Sequence, residues 1–547
     1  MTRHGGHVVV DQLAHNGVEC IFQVPGESFL PVLDALYGRP DIRLVTGRQE
    51  GGVAMMAEAW GKLTGRPGVA FVTRGPGAAN ACAGLHVARQ DDTPMLLCVG
   101  DVERAVRDRE AFQEVPWHRT LAGFAKALFV VDDTARIPEY VDRAVHLARS
   151  GRPGPVVLVF PEDVLFAASD APALPPPPHV QPLPDPAVVR HVAGRLAGAR
   201  RPLLLLGGSD WTTGAKVAAE HFAQAWEVPV ATAFRCQDHF DNLHPCYVGD
   251  LGIGAAPHLR RWVEESDLLL VVGTRIDEKT AGDYATILAP VPAQPLVHVH
   301  PDPAELGRVF RPELAVVAGS TAFLERLVEC PPPAERPWAE DTRRLHEANR
   351  AWKTPEPEAR RGVDLGLALA ELGRLMAEDA IVASGAGNFS VWVHRFLHFR
   401  HYRSQLAPRS GSMGYALPAA VAAAVCHPER EVVAIAGDGD AQMTIQEFAT
   451  AVQEDARLVL LVADNGSYGT IRMHQERHFP GRPSGSRLVN PDFAALARAM
   501  GGFGARVERT EDFADAYREA RASGRPAILH LLCDPELLAP GRRLGAS

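Results

Sequence analysis

The sequence predicts an α/β protein made of three doubly wound parallel-sheet domains. Three observations carry that expectation. The chain has 547 residues, too many for one hydrophobic core, and domains of roughly 100–200 residues make three the natural number. Short, uninterrupted apolar runs recur along its whole length. Each run leads into a small-residue turn and then a helix-like stretch, the alternation expected of parallel sheets covered by helices.

The runs fall into three blocks. The first contains GVAFVT (68–73), MLLCVG (95–100) and PVVLVFP (155–161). The second contains PLLLLGG (202–208), DLLLVVG (267–273) and PLVHVH (295–300). The third contains DAIVAS (379–384), EVVAIAGDG (431–439) and RLVLLVAD (457–464). Runs without polar alternation suit strands buried on both faces. Proline is dense over 171–186, which favours extended chain and reads as a linker. A charged, proline-bounded and partly helical stretch over 333–361 reads as a second linker. The expected domains are therefore 1–170, 187–332 (central, Rossmann-like) and 362–547.

Composition narrows the function. Hydrophobic residues are 46% and charged residues 22%, ordinary values for a globular protein. A net charge of −10 argues against a nucleic-acid partner. No run approaches the roughly 18 apolar residues needed to span a membrane. The N-terminal stretch lacks the apolar core and small-residue cleavage site of a secretory signal. The eight cysteines are scattered without a C-x-x-C pair, so they read as reduced thiols of a cytoplasmic enzyme.

Three glycine turns follow expected strands: GPGAAN (75–80), GAGNFS (385–390) and GDGDAQ (437–442). Each falls one glycine short of the dinucleotide fingerprint, and each alone could be an ordinary strand-to-helix turn. Together they offer glycine backbones and free helix N–H groups to phosphates. The third is the most informative. Asp438 ends one strand, and Asn465 ends the next, 27 positions later. One strand–helix–strand crossover returns both to the same sheet edge. A carboxylate, an amide oxygen and nearby carbonyls make a hard-oxygen site suited to Mg²⁺. The simpler alternative is that the two side chains only cap helices or shape turns.

GDG followed 27 positions later by Asn and then by G-S-Y-G resembles the diphosphate-binding motif of thiamine-diphosphate enzymes. VPGES (24–28), RQEGG (48–52), TRGPGAAN (73–80), AFQEV (111–115), RPGPVVLVFPED (152–163) and GSMGYALPAA (411–420) extend the resemblance over nearly the whole chain. Within that family the chain is similar to acetolactate synthase large subunits. The resemblance implies a pyrimidine-binding N-terminal domain and a diphosphate-binding C-terminal domain. It implies that Asp438, Asn465 and the carbonyl of Ser467 hold Mg²⁺. Gly387, Asn388, Phe389, Gly437, Gly439, Asp440, Ala441, Tyr468, Gly469 and Thr470 would hold the diphosphate side of thiamine diphosphate. Pro25, Gly26, Thr73, Gly75, Pro76 and Asn80 would surround its pyrimidine side. Gly411 and Met413 would lie under the cofactor, with Met413 imposing its bent shape. Glu50 would be the activating carboxyl that shares a proton with the aminopyrimidine; read alone, it could simply favour a helix N-terminus. Because Glu50 and Asp438 come from different subunits in this family, a homodimer or homotetramer is implied.

Phe112 and Gln113 match the F-Q pair that acetolactate synthases place near the reacting carbons, and they join Glu50 as candidate catalytic residues. Three positions depart from the pattern. Glu162 replaces a lysine, Lys279 replaces the arginine that grips the second substrate's carboxylate, and His474 replaces a substrate-selecting tryptophan. Lysine keeps the charge but loses the bidentate fork. These changes surround the second-substrate pocket. The expectation is thus a carboligase that decarboxylates a 2-oxo acid such as pyruvate and joins the product to a second carbonyl. The alternatives are a 2-oxo acid decarboxylase or acyloin lyase, and a flavin-linked oxidase. FAD binding by the central domain rests only on Gly207, Gly208 and the segment at Arg275. His118 reads as structural, and His298 and His300, on one face of a strand, read as packing residues for want of a third ligand.

Overall fold

The computed structural model describes residues 3–176 and 178–545. Three six-stranded, wholly parallel sheets organise it. The first comprises β1 (Cys20–Gln23), β2 (Arg43–Thr46), β3 (Gly68–Val72), β4 (Met95–Asp101), β5 (Ala127–Val130) and β6 (Pro155–Pro161), in the order β2-β1-β3-β4-β6-β5. The second comprises β7 (Pro202–Leu206), β8 (Val230–Thr232), β9 (Tyr247–Asp250), β10 (Leu268–Val272), β11 (Leu296–His300) and β12 (Leu314–Val317), in the order β12-β11-β10-β7-β8-β9. The third comprises β13 (Ile381–Ser384), β14 (Gln405–Leu406), β15 (Val432–Gly437), β16 (Val459–Asp464), β17 (Phe503–Val507) and β18 (Ala527–Leu532), in the order β14-β13-β15-β16-β18-β17. The first and third sheets share one strand order. The second has the Rossmann order. The nine apolar runs of the sequence all become strands, and β3, β7 and β10 are buried at every residue.

The outer domains pack directly on each other through two helices. Glu50–Thr64 starts where Gln49 caps it, accepting from the Gly52 N–H at 3.0 Å. It ends at Gly65, whose φ of +69° suits glycine. Against it lies Ala416–Cys426, buried from Ala416 to Val425, whose alanines permit close approach. Residues of both helices belong to one hydrophobic core. Each fully buried Val, Leu or Met side chain among them adds roughly 1.5–3 kcal/mol.

Residues 170–176 and 178–185 carry neither helix nor strand, while Pro177 of the expected linker lies outside the described residues. The 333–361 stretch contains the helix Ala339–Trp352, and Trp338 is buried in the central core, its indole N–H donating to the Trp226 carbonyl at 3.0 Å. That stretch is docked on the central domain. Between β15 and β16 the expected single helix is two short ones, Asp438–Ala441 and Glu447–Gln453. The intervening turn is held where the Thr444 hydroxyl donates to the Gly414 carbonyl at 2.7 Å. No described helix is long and apolar enough to cross a membrane.

Candidate functional site

The β15–β16 ladder pairs Gly437 with Ala463, so Asp438 and Asp464–Asn465 leave adjacent strand ends side by side. They open onto a cavity of about 270 Å³ at the carboxyl edge of the third sheet. Asp438, Asn465 and Ser467 line it together, as do Gly437, Gly439 and Asp440. Gly387, Asn388 and Phe389 line it from the turn after β13. Tyr468, Gly469 and Thr470 line it from the turn after β16, and Gly411 and Met413 complete it. Ala441 is buried behind this wall. Two helix N-termini, those of Phe389–Phe396 and Gly469–His478, meet here, and Thr470 donates to the Asn388 side chain at 2.9 Å. Free N–H groups at such ends favour phosphate oxygens.

Behind Asp438, the candidate metal ligand, lie partners that the sequence did not reveal. The Asn490 amide donates to Asp438 Oδ2 and to Asp464 Oδ1, both at 2.7 Å. His530 contacts the other Asp464 oxygen at 2.8 Å. Burial pushes the Asp438 carboxyl up to about 6. Asp464 stays below the ordinary range: burial opposes this, but hydrogen bonds from His530, the Gly466 N–H and Asn490 prevail. Asp438, Asn465 and Ser467 at one cavity wall offer a carboxylate, an amide oxygen and a backbone carbonyl, a donor set that fits Mg²⁺, with Asp464 beside Asp438. Nothing local marks Asn490 or His530, which come from distant chain positions.

The Asp440 side chain reaches across to neighbouring turns. Its Oδ1 accepts from the N–H groups of Gly414 at 2.8 Å and Ala386 at 3.2 Å. One buried carboxyl thereby ties three of the cavity's glycine-containing turns together. Burial pushes it up to about 7.

The remaining predicted residues gather at the carboxyl edge of the first sheet. Pro25 and Gly26 follow β1, Glu50 follows β2, Thr73, Gly75 and Pro76 follow β3, and Phe112 and Gln113 follow β4. Asn80 donates to Glu50 Oε2 at 2.9 Å. A Cβ on Gly26 would sit 2.4 Å from Thr73 Cβ, so those turns touch. Gly75 has φ +55°, and a Cβ there would meet the Gln113 carbonyl at 2.7 Å. Phe112 is 74% exposed. None of these residues lines the cavity. Within one chain, then, the two halves of the expected site stand apart.

The departures from the family pattern resolve differently. Glu162 faces Arg74 at 3.4 Å, and burial raises its carboxyl. Lys279 is on the central domain, outside the cavity, paired with Glu278 at 2.9 Å and Asp283 at 2.7 Å. His474 lies on the exposed helix Gly469–His478, one turn beyond Thr470. His298 is buried, with Nε2 against the Thr274 carbonyl at 2.8 Å, and His300 contacts Asp302.

The crevice over the switch point of the central sheet, where the expected flavin would lie, is largely filled by side chains. In the Rossmann order, a dinucleotide would sit over the switch point between β7 and β10. There a Cβ on Gly208 would meet the Gly273 carbonyl at 2.0 Å. Trp211, 3% exposed, covers the crevice, its indole N–H donating to the Gly207 carbonyl at 2.7 Å. His239 packs edge-on against Trp211 and reaches the Gly208 carbonyl at 2.8 Å. The Arg275 guanidinium is engaged by Asp92 and the Gln90 carbonyl. The space left beside Gly208 is about 60 Å³, enough for a water or two.

Comparison with known proteins identifies the class to which three domains of this topology belong. Residues 3–120, 189–327 and 385–531 match the N-terminal TPP binding, central and C-terminal TPP binding domains of thiamine pyrophosphate enzymes. Thiamine pyrophosphate and thiamine diphosphate are one compound. The chain belongs to the thiamine pyrophosphate enzyme family. Within it, the chain is similar to acetolactate synthases. It is 31% identical to the acetolactate synthase large subunit of Corynebacterium glutamicum, over 96% of this chain and 86% of that one. It is 31% identical to the acetolactate synthase isozyme 2 large subunit of Escherichia coli K12, over 97% of this chain and 96% of that one. It is 29% identical to the probable acetolactate synthase large subunit of Methanocaldococcus jannaschii, over 99% and 94%.

Proposed function

We propose that this chain is a Mg²⁺-dependent carboligase of acetolactate synthase type, decarboxylating a 2-oxo acid such as pyruvate and joining the fragment to a second carbonyl. The observation that carries the reading is the convergence of Asp438, Asn465 and Ser467 on one cavity with the turn at Gly387–Phe389. When bound, thiamine diphosphate supplies the nucleophilic carbon and accepts the electrons released as CO₂ leaves. The protein's part is binding, orientation and proton control. Asp438, Asn465 and the Ser467 carbonyl hold Mg²⁺, and the helix N-termini hold the diphosphate. Glu50, oriented by Asn80, holds the proton exchanged with the aminopyrimidine. Phe112 and Gln113 flank the reacting carbons.

Glu50 stands apart from the cavity of its own chain, which supports a homodimer or homotetramer in which each site takes Glu50 from one copy and Asp438 from another. A cytoplasmic enzyme fits the eight free cysteines. The filled crevice at Trp211 weighs against FAD and against the oxidase reading.

A decarboxylase or acyloin lyase is the second reading. It is favoured by the ion pairs of Lys279 with Glu278 and Asp283, which engage the ammonium expected to anchor an acceptor's carboxylate. Purified protein incubated with thiamine diphosphate, Mg²⁺ and pyruvate, followed by proton NMR, separates the two. Acetolactate establishes the carboligase. Acetaldehyde alone transfers the protein to the second reading. A flavin spectrum in the purified protein would establish FAD binding and reopen the oxidase reading.

A further inference from the structure

The geometry points to Glu447 as a positioning residue for Glu50, tying the helix that Glu50 begins to the segment that follows the metal-binding turn. This rests on the thiamine-diphosphate reading of both half-sites. Glu447 is fully buried and belongs to the C-terminal domain, nine positions beyond Asp438. Its carboxyl crosses to the N-terminal domain of the same chain, where the Arg48 N–H donates to its two oxygens at 3.1 and 3.2 Å. The Thr450 hydroxyl donates to it at 2.7 Å. The Arg48 guanidinium goes elsewhere, to the Thr46 carbonyl and Gln453, so no cation pairs with Glu447 at close range. What compensates the buried carboxyl is the N-terminus of the helix Glu50–Thr64.

Gly52 is small because of this contact: a Cβ there would lie 2.9 Å from both Cγ and Oε1 of Glu447. Arg48 is two residues from Glu50, so displacing its N–H displaces the Glu50 backbone. On the other side, the Glu447 N–H donates to the Thr444 carbonyl at 2.9 Å. Thr444 is bonded to Gly414, and Gly414 to Asp440. A continuous run of hydrogen bonds therefore joins the turn at Asp438–Asp440 to the backbone that carries Glu50.

The test uses Mg²⁺ with inorganic diphosphate, which fills the Asp438 half-site without reaching the aminopyrimidine position. Amide hydrogen–deuterium exchange is followed by mass spectrometry in the full chain, in wild type, Glu447→Gln and Gly52→Ala. Gly52→Ala keeps the carboxyl but crowds and displaces it, so it probes the same contact should Glu447→Gln fail to fold. Diphosphate slows exchange over 47–53 several-fold in wild type, and this response is lost in either variant while the slowing over 437–440 and 465–470 is kept. With thiamine diphosphate bound, C2 proton exchange in the variants falls by up to roughly 100-fold, the scale of a displaced reacting group, with cofactor affinity unchanged. Equal responses over 47–53 in wild type and both variants overturn the proposal. No slowing over 437–440 in wild type would instead overturn the diphosphate reading itself.

Discussion

Asn490 spans Asp438 and Asp464, giving one amide proton to each carboxyl at 2.7 Å. It bridges the two carboxyls and fixes the side chain of Asp438, which lines the cavity. Outer-layer partners of this kind are worth roughly 10–100-fold in metal affinity. Asn490→Ala is therefore expected to weaken Mg²⁺ binding by that factor, read by calorimetric titration with thiamine diphosphate present. Unchanged Mg²⁺ affinity would remove Asn490 from the site.

Glu50→Gln is isosteric but cannot exchange the proton. Loss of acid–base function is worth roughly 100- to 10,000-fold in rate. Steady-state turnover of pyruvate should fall by that much while thiamine diphosphate still binds. Asn80→Ala, which frees Glu50 without removing it, should give a smaller fall. Full turnover by Glu50→Gln would mean that another group handles the proton.

Removing the Asp440 side chain leaves the buried Gly414 and Ala386 N–H groups without a partner, each costing about 1–3 kcal/mol. Asp440→Ala should raise the dissociation constant for thiamine diphosphate at least roughly tenfold by loosening three turns at once. Asp440→Asn keeps an acceptor and should recover most of the loss. Equilibrium dialysis of the cofactor checks both, and an unaltered constant in Asp440→Ala would show that the turns hold themselves.

His298 is neutral in the fold, because burial lowers it from 6.5 to about 4. A histidine lowered in this way contributes stability above its unfolded value of 6.5. That contribution is lost as pH falls from 6.5 towards 4, because the unfolded chain takes up the proton first. At pH 5 the loss is about 2 kcal/mol. Urea denaturation of wild type at pH 7 and pH 5 should show a drop that His298→Gln lacks. An equal drop in both proteins would place the acid sensitivity elsewhere.

The sequence by itself determined the three-domain plan, the parallel strands and the turns of the cofactor cavity. These depend on local pattern: apolar runs long enough to cross a buried sheet, and glycines where backbone turns sharply or meets a phosphate. The 27-residue spacing was enough to bring Asp438 and Asn465 together, because one crossover always returns to the same edge. Tertiary structure decided what local pattern leaves open. It filled the central crevice with Trp211 and drew Lys279 into pairs with Glu278 and Asp283. It gave Asp440 two backbone partners from other turns and brought Asn490 and Glu447 to positions no motif marks. It also left Glu50 outside the cavity that Asp438 lines in the same chain. The physical reason is common to all of these: a side chain's partners are set by which distant segments fold against it, and that is a property of packing between elements.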